Sequence, residues 1–268
     1  MNTINISQIQ FEAKSTPLEN AKLLRKNFEK TKKFNPNLIC TPECSNIITN
    51  DIKYLKTNTT FENDCPIINM SKLYAKKNNV NINIGSLLLK IKNKKKLVNR
   101  SYFINSKGKI VKKYDKIHMF DVNINKKETH RESDTFQAGN DIALLNIDKI
   151  KIGFTICYDL RFPNLFRQLA KKGAQIILMP AAFTVPSGKA HWEVMLRSRA
   201  IENSFFVIAT DMCGTHHTNR KTYGHSILVN PWGEIIAKAK SRPKILNSKI
   251  NLDEIKNVRN KIPAILHD

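Results

Sequence analysis

Short apolar runs and amphipathic stretches alternate along the whole chain, and this alternation limits the fold more than any other feature. Segments 4–11, 37–40, 80–89, 100–105, 109–114, 142–147, 150–156, 174–179, 205–210, 226–229, 234–237 and 245–250 have the length and apolar content of strands. Segments 18–34, 67–77, 162–172, 189–203 and 252–260 read as helices. Pro17 suits the first turn of the first helix, Gly173 suits the C-terminal stop of the third, and Pro180 is expected to stop the 174–179 strand. No linker and no internal repeat interrupts the alternation. The expectation is an α/β fold, a single layered domain spanning residues 1–268, long enough to bury a large core. The 189–203 helix has two apolar arcs, one with Ala190, Val194 and Ile201, the other with Trp192, Met195, Leu196 and Ala200. Such a helix packs between its own sheet and a second subunit, or lies deep in one core.

The chain carries 45 Lys and Arg against 22 Asp and Glu, a formal charge of +23. Excess of this size points to nucleic acid or an acidic membrane when basic residues are concentrated with aromatics. Here lysines such as Lys22, Lys26, Lys30, Lys92 and Lys249 are dispersed, and Lys, Asn and Ile are abundant throughout, which fits compositional drift. Neither nucleic acid nor membrane is expected as a partner. Five scattered cysteines argue against a disulfide framework and for a reducing compartment. The first residues show neither a charged n-region nor an apolar h-region, and no apolar run reaches membrane-spanning length, so a cytoplasmic location is expected. The polar segment 121–140 reads as a long irregular loop of the kind that carries function.

The apolar run 152–156 stops at Cys157, a polar turn follows, and a helix is expected to start near Pro163. At such an elbow, free backbone N–H groups and a helix dipole favour a thiolate. Cys157 reads equally as a small buried hydrophobe. Glu43 follows a strand in Thr41-Pro-Glu-Cys44, where a raised pKa would suit a general base, although most loop glutamates are solvated. Lys116 stands at another strand end, where an ammonium suits an oxyanion. Glu132 is unremarkable by itself. No metal-ligand spacing, phosphate loop or Gly-x-Gly-x-x-Gly occurs, so no metal and no organic cofactor is expected. A Cys/His pairing with His118, His191 or His225 stays open.

Taken together, Thr41-Pro-Glu43, Tyr114-Asp-Lys-Ile-His-Met-Phe-Asp121 and Ile156-Cys-Tyr-Asp-Leu-Arg-Phe-Pro163 resemble the glutamate, lysine and cysteine motifs of the nitrilase superfamily, the carbon–nitrogen hydrolases. The resemblance spans nearly the whole chain. Ala190-His-Trp-Glu193, Arg199-Ala-Ile-Glu202, Tyr223-Gly-His-Ser226 and Asn230-Pro-Trp-Gly233 resemble its amidase branch. It implies a four-layer α-β-β-α sandwich, a homodimer or higher homo-oligomer joined through helices, and a triad of Glu43, Lys116 and Cys157 with Glu132 as a second glutamate. Asn164 departs from the family, whose members usually have glutamate there; this touches the helix start rather than catalysis.

Cys213-Gly-Thr-His-His217, Arg220 and Ala182-Phe-Thr184 resemble the deaminated glutathione amidases within that branch. Omega-amidases acting on α-ketoglutaramate share much of the rest, and N-carbamoyl or nitrile hydrolysis are further alternatives. The implied reaction is attack by Cys157 on a small carboxylate-bearing amide through a thioester. Tyr158, through its backbone N–H, Arg161 as a carboxylate anchor, Phe183 and Thr184 are the expected substrate contacts. Arg161 reads alternatively as an ion-pair partner of Asp159. The competing class is a nucleic-acid-binding or scaffold protein on an inactive hydrolase fold.

Overall fold

A computed structural model describes residues 2–125 and 128–267; Met1, Lys126, Lys127 and Asp268 lie outside the described residues. Two mixed sheets stack face to face. In the first, the strands run in the order Lys244–Asn251, Thr3–Gln10, Leu38–Cys40, Asn81–Lys90, Leu97–Ile104, Ile110–Asp115. In the second the order is Ile235–Lys238, Ile227–Val229, Phe206–Asp211, Ile176–Ala181, Ile150–Phe154, Leu144–Ile147. Each sheet has three parallel strands at its heart flanked by antiparallel neighbours, and the short strand Phe136–Gln137 joins the first sheet in parallel with Leu97–Ile104.

Strand periodicity explains the layering. Side chains alternate between the two faces of a strand. Ile4 and Ile6 therefore enter the core between the sheets, and Ile9 and Phe11 enter the core under the outer helices. Leu38 and Cys40 face inward, and Ile39 faces outward. Phe103 of the first sheet meets Phe154 of the second edge-on, with ring centroids 6.2 Å apart. Gln8 reaches across the same gap and donates to Ala209 O at 2.9 Å.

Helices Pro17–Thr31 and Pro66–Asn78 cover the first sheet with Leu24, Phe28 and Ala75. A capping box at Thr16 and Glu19 starts the former. Helices Pro163–Lys171 and Val185–Asn203 cover the second sheet with Leu165, Phe166, Trp192 and Leu196. The result is the α-β-β-α order expected from the resemblance. Among the described residues, no helix is long and apolar enough to cross a membrane.

The structure departs from the sequence reading in several places. Strand Ile176–Ala181 passes through Pro180, whose fixed φ is compatible with extended backbone and removes only one ladder donor. The helix expected from residue 189 starts at Val185, with Pro186 in its first turn. The segment read as a loop contains the antiparallel strands Asp121–Asn125 and Glu128–Arg131 and the short helix Glu132–Thr135. Its Lys126 and Lys127 lie outside the described residues. Helix Ile52–Asn58 and the hairpin of Cys213–Thr215 with Lys221–Tyr223 were not anticipated, being short and largely polar.

That hairpin is tied down by His216, which is buried. Its Nδ1 donates to Ala13 O at 3.4 Å, and its Nε2 lies 2.8 Å from Thr222 Oγ1. Burial lowers its pKa to about 4. The folded imidazole stays neutral where the unfolded one gains a proton, between the ordinary value of 6.5 and about 4, so stability falls as pH drops through that window. Urea titrations at pH 7 and pH 5 should show the native chain losing about 2 kcal/mol more than His216→Gln. Equal losses in the two proteins would rule out a neutral buried imidazole.

Candidate active site

Three chain segments meet at strand ends of the two sheets. Glu43 lies in the turn after Leu38–Cys40. Ser86 straps that turn: its hydroxyl accepts from Cys44 N at 3.0 Å, and its N–H donates to Pro42 O at 3.2 Å. Gly85 allows the approach, since a Cβ there would lie 2.0 Å from Thr41 O. Cys44, the next residue, has φ 56°, a left-handed conformation costly for a side chain with a Cβ.

Cys157 has φ 51° and begins a 3₁₀ turn, Cys157–Arg161, rather than the α-helix, which starts at Pro163. The expected α-helix terminus therefore does not lie at the thiol. Asp159, fully buried, welds this elbow to the lysine segment. It accepts from Ile156 N at 2.8 Å, Tyr114 Oη at 2.7 Å and His118 N at 3.1 Å, and His118 Nδ1 lies 2.7 Å from it. Tyr114 and His118 flank Lys116 by two residues on each side, so this one carboxylate brings Lys116 and Cys157 together.

Lys116 is 2% exposed. Its Nζ donates to Glu43 Oε1 at 3.0 Å and to both Glu132 oxygens at 3.0 and 2.8 Å. Burial opposes the ammonium, but the charges of Glu132 and Glu43 hold its pKa well above the ordinary value. Burial also pushes the Glu43 carboxyl up. Lys116 and hydrogen bonds from the Cys157 thiol, Lys116 and Asn99 outweigh this, and the pKa of Glu43 lies below the usual range. The expectation of a raised Glu43 pKa is thereby corrected: its turn does bury the carboxylate, but beside a cation. Burial and the Glu43 charge push the Cys157 thiol well above its ordinary value, despite Lys116 and the Ala182 N–H. The resting arrangement is a neutral thiol beside a carboxylate, an ammonium and a second carboxylate.

These groups open on a cavity of about 530 Å³, which Tyr158, Arg161, Phe183 and Thr184 also line. Arg131 and Arg220 stand in its walls as well. Arg161 does not pair with Asp159; its Nη2 lies 3.2 Å from His191 Nδ1. His118 and His191 are engaged with Asp159 and Arg161, and His225 Nδ1 donates to Tyr223 O at 2.8 Å, so the cysteine's partner in the structure is a glutamate.

The carbon–nitrogen hydrolase family model matches residues 4–260. The chain belongs to the carbon–nitrogen hydrolase family. A deaminated glutathione amidase of Yersinia enterocolitica is 38% identical over 86% of this chain and 81% of its own length. One from Dictyostelium discoideum is 37% identical over 93% and 88%. Among solved structures, Nit3 of Saccharomyces cerevisiae, a member of branch 10 of the nitrilase superfamily, superposes with a TM-score of 0.87 at 26% identity, covering 97% of this chain and 94% of that one. This carbon–nitrogen hydrolase is thus of the amidase branch, an enzyme acting on carbon–nitrogen bonds.

Three residues of this hydrolase's site escaped the sequence reading. Asp159 reads from the sequence only as a partner of Arg161. Asp211, wholly buried, accepts from Phe183 N at 3.0 Å and so fixes the cavity wall; burial pushes its pKa well up. Asn99, 1% exposed, donates through Nδ2 to Glu43 Oε1 at 2.8 Å and to Glu132 Oε1 at 3.4 Å. The Asn99 backbone carbonyl also accepts from Lys116 N at 3.0 Å. Nothing in an isolated strand asparagine signals such a bridge. Removing the amide takes away a bond that lowers the Glu43 pKa. Asn99→Ala should therefore move the acid limb of the pH–rate profile for amide hydrolysis to higher pH and cut kcat/KM at neutral pH about tenfold. An acid limb left in place would show that the amide does not tune Glu43.

Proposed function

We propose that this chain is a cysteine-dependent amidase that cleaves a small carboxylate-bearing amide through a thioester, with deaminated glutathione as the substrate it fits best. The observation that carries this reading is the buried Glu43–Lys116–Cys157 cluster opening on a cavity with arginines in its walls. The names of the two relatives point to the same substrate. No metal or organic cofactor takes part in the scheme.

In this scheme Glu43 accepts the thiol proton as Sγ attacks the amide carbon. The new C–S bond pushes the carbonyl π electrons onto oxygen, where Lys116 and the Tyr158 backbone N–H receive the charge; one such donor is worth about 3–4 kcal/mol. Glu43 then returns the proton to the departing nitrogen as the C–N bond breaks. Water, deprotonated by Glu43, opens the thioester to the acid and regenerates the thiol. Glu132 keeps Lys116 charged and aimed through its two bonds. Tyr158, Arg161, Phe183 and Thr184 form the substrate wall, Arg161 holding a carboxylate.

Purified protein given deaminated glutathione, α-ketoglutaramate, an N-carbamoyl amino acid and a nitrile in parallel should hydrolyse the first fastest. Cys157→Ala should abolish turnover with the fold intact, and Cys157→Ser should be nearly inactive, because an alkoxide forms far less readily than a thiolate. Glu132→Gln should slow turnover at least about tenfold. Native-level turnover by Cys157→Ala would end the scheme.

The proposal includes a cytoplasmic homodimer that needs neither nucleic acid nor membrane. All five cysteines are free thiols, in keeping with a reducing compartment. In support of the dimer, Val194 and Ile201 of helix Val185–Asn203 are 62% and 51% exposed, although the opposite arc with Trp192 and Leu196 is buried. An apolar arc left open to water is a natural place for a second copy. Light scattering should give twice the chain mass, and Val194→Asp with Ile201→Asp should give a monomer. A monomeric native chain would remove the dimer from the proposal.

A further inference from the structure

The three arginines of the cavity differ in how they are engaged. Arg161 meets His191, and its guanidinium packs over the Tyr158 and Phe183 rings at 5.9 and 6.0 Å. Arg131 donates to His130 O at 3.0 Å and to Asn123 Oδ1 at 3.2 Å. The half-buried Arg220 side chain has no hydrogen bond or ion pair with any described residue. A guanidinium has five donors in a rigid fork suited to a carboxylate.

The backbone beneath Arg220 is held firmly. Thr49 Oγ1 lies 2.9 Å from His217 Nδ1, and Asn50 N donates to Thr218 Oγ1 at 2.9 Å. The His217 ring stacks on Tyr54 at 4.1 Å, and His216 N donates to Arg220 O at 2.8 Å. Thr218 and Asn219 have φ of 63° and 58°. Left-handed backbone at two residues with side chains is costly and persists only where contacts impose it. A strained turn, docked on the Thr49–Asn50 segment, thus holds an unmatched cation in the cavity wall. Arg161 lines the same cavity from the turn that Cys157 begins.

We propose that Arg220 forms a second carboxylate subsite, and that it selects amides with two carboxylates over those with one. Resting on the amidase reading above, this assigns Arg161 to the carboxylate on the acyl side and Arg220 to the one on the leaving group. Deaminated glutathione, with an α-keto acid at one end and glycine at the other, has both; α-ketoglutaramate has only the first.

The test compares kcat/KM on deaminated glutathione, on its analogue ending in a methylamide in place of glycine, and on α-ketoglutaramate. The native enzyme should prefer the dicarboxylate to the methylamide by at least about tenfold. Arg220→Met should lose that factor on the dicarboxylate, mainly through KM, and stay within about twofold on the other two. Arg220→Lys should recover part of the selectivity, since it restores the charge without the fork. Arg220→Gln gives the same comparison if Arg220→Met does not fold. Loss of activity shared equally by all three substrates, or no loss on any, would overturn the subsite. A native enzyme inactive on every amide would instead overturn the amidase reading, so the two failures are distinct.

Discussion

A lysine ammonium held out of water between two carboxylates sets the terms for the centre of this molecule. Moving one charge into a protein interior costs several kcal/mol even after relaxation, and a lone lysine there would release its proton. Lys116 keeps it because Glu43 and Glu132 each lie within hydrogen-bond distance. The cluster still carries one negative charge in excess, and the Asn99 amide meets it with neutral donors on both acids. Breaking such a buried group by removing one partner is far more costly than never having built it. Its presence here therefore follows from chemistry, since a core filled with apolar side chains would serve stability as well.

The two stacked sheets place this cluster. Glu43 leaves the first sheet from a central strand, and Lys116 leaves it from the edge strand Ile110–Asp115. Cys157 comes from the second sheet. Strand direction alone brings these ends near one another; it does not set distances at the scale of a hydrogen bond. That precision comes from short polar ties: Asp159 between elbow and lysine, Ser86 across the glutamate turn, and Asp211 under the cavity wall. These groups are fully buried, with partners that cannot be replaced by water.

Much of this was legible in the chain. The period-two and helical patterns gave most elements within a few residues, because long apolar segments leave little choice about which side faces inward. The three motifs pointed to Glu43, Lys116 and Cys157, and these side chains lie together at one cavity. What the chain did not disclose depends on tertiary neighbours. A glutamate after a strand looks ready for a raised pKa until Lys116 is placed beside it. Asp159 looks like a surface partner for Arg161 until His118 and Tyr114 converge on it. The hairpin carrying Arg220 escaped because its strands are three residues each, too short for a period to register.

The direction of the Cys157 shift bears on how the site has to operate. A thiol made more basic by burial and by its neighbour Glu43 favours the neutral form, and the proposed scheme accordingly has Glu43 take the proton as the sulfur attacks, rather than starting from a stored thiolate. A thiolate next to the Glu43 charge would add a further negative group to a cluster already in excess by one. The balance changes when a carbonyl is present. In the proposed reaction, proton transfer to Glu43 removes one negative charge as another appears on the substrate oxygen, and Lys116 exchanges a carboxylate partner for an oxyanion at nearly constant net charge. Little reorganisation is needed for that exchange, because the ammonium is already fixed between its carboxylates, and such preorganisation is where electrostatic catalysis has its largest effect.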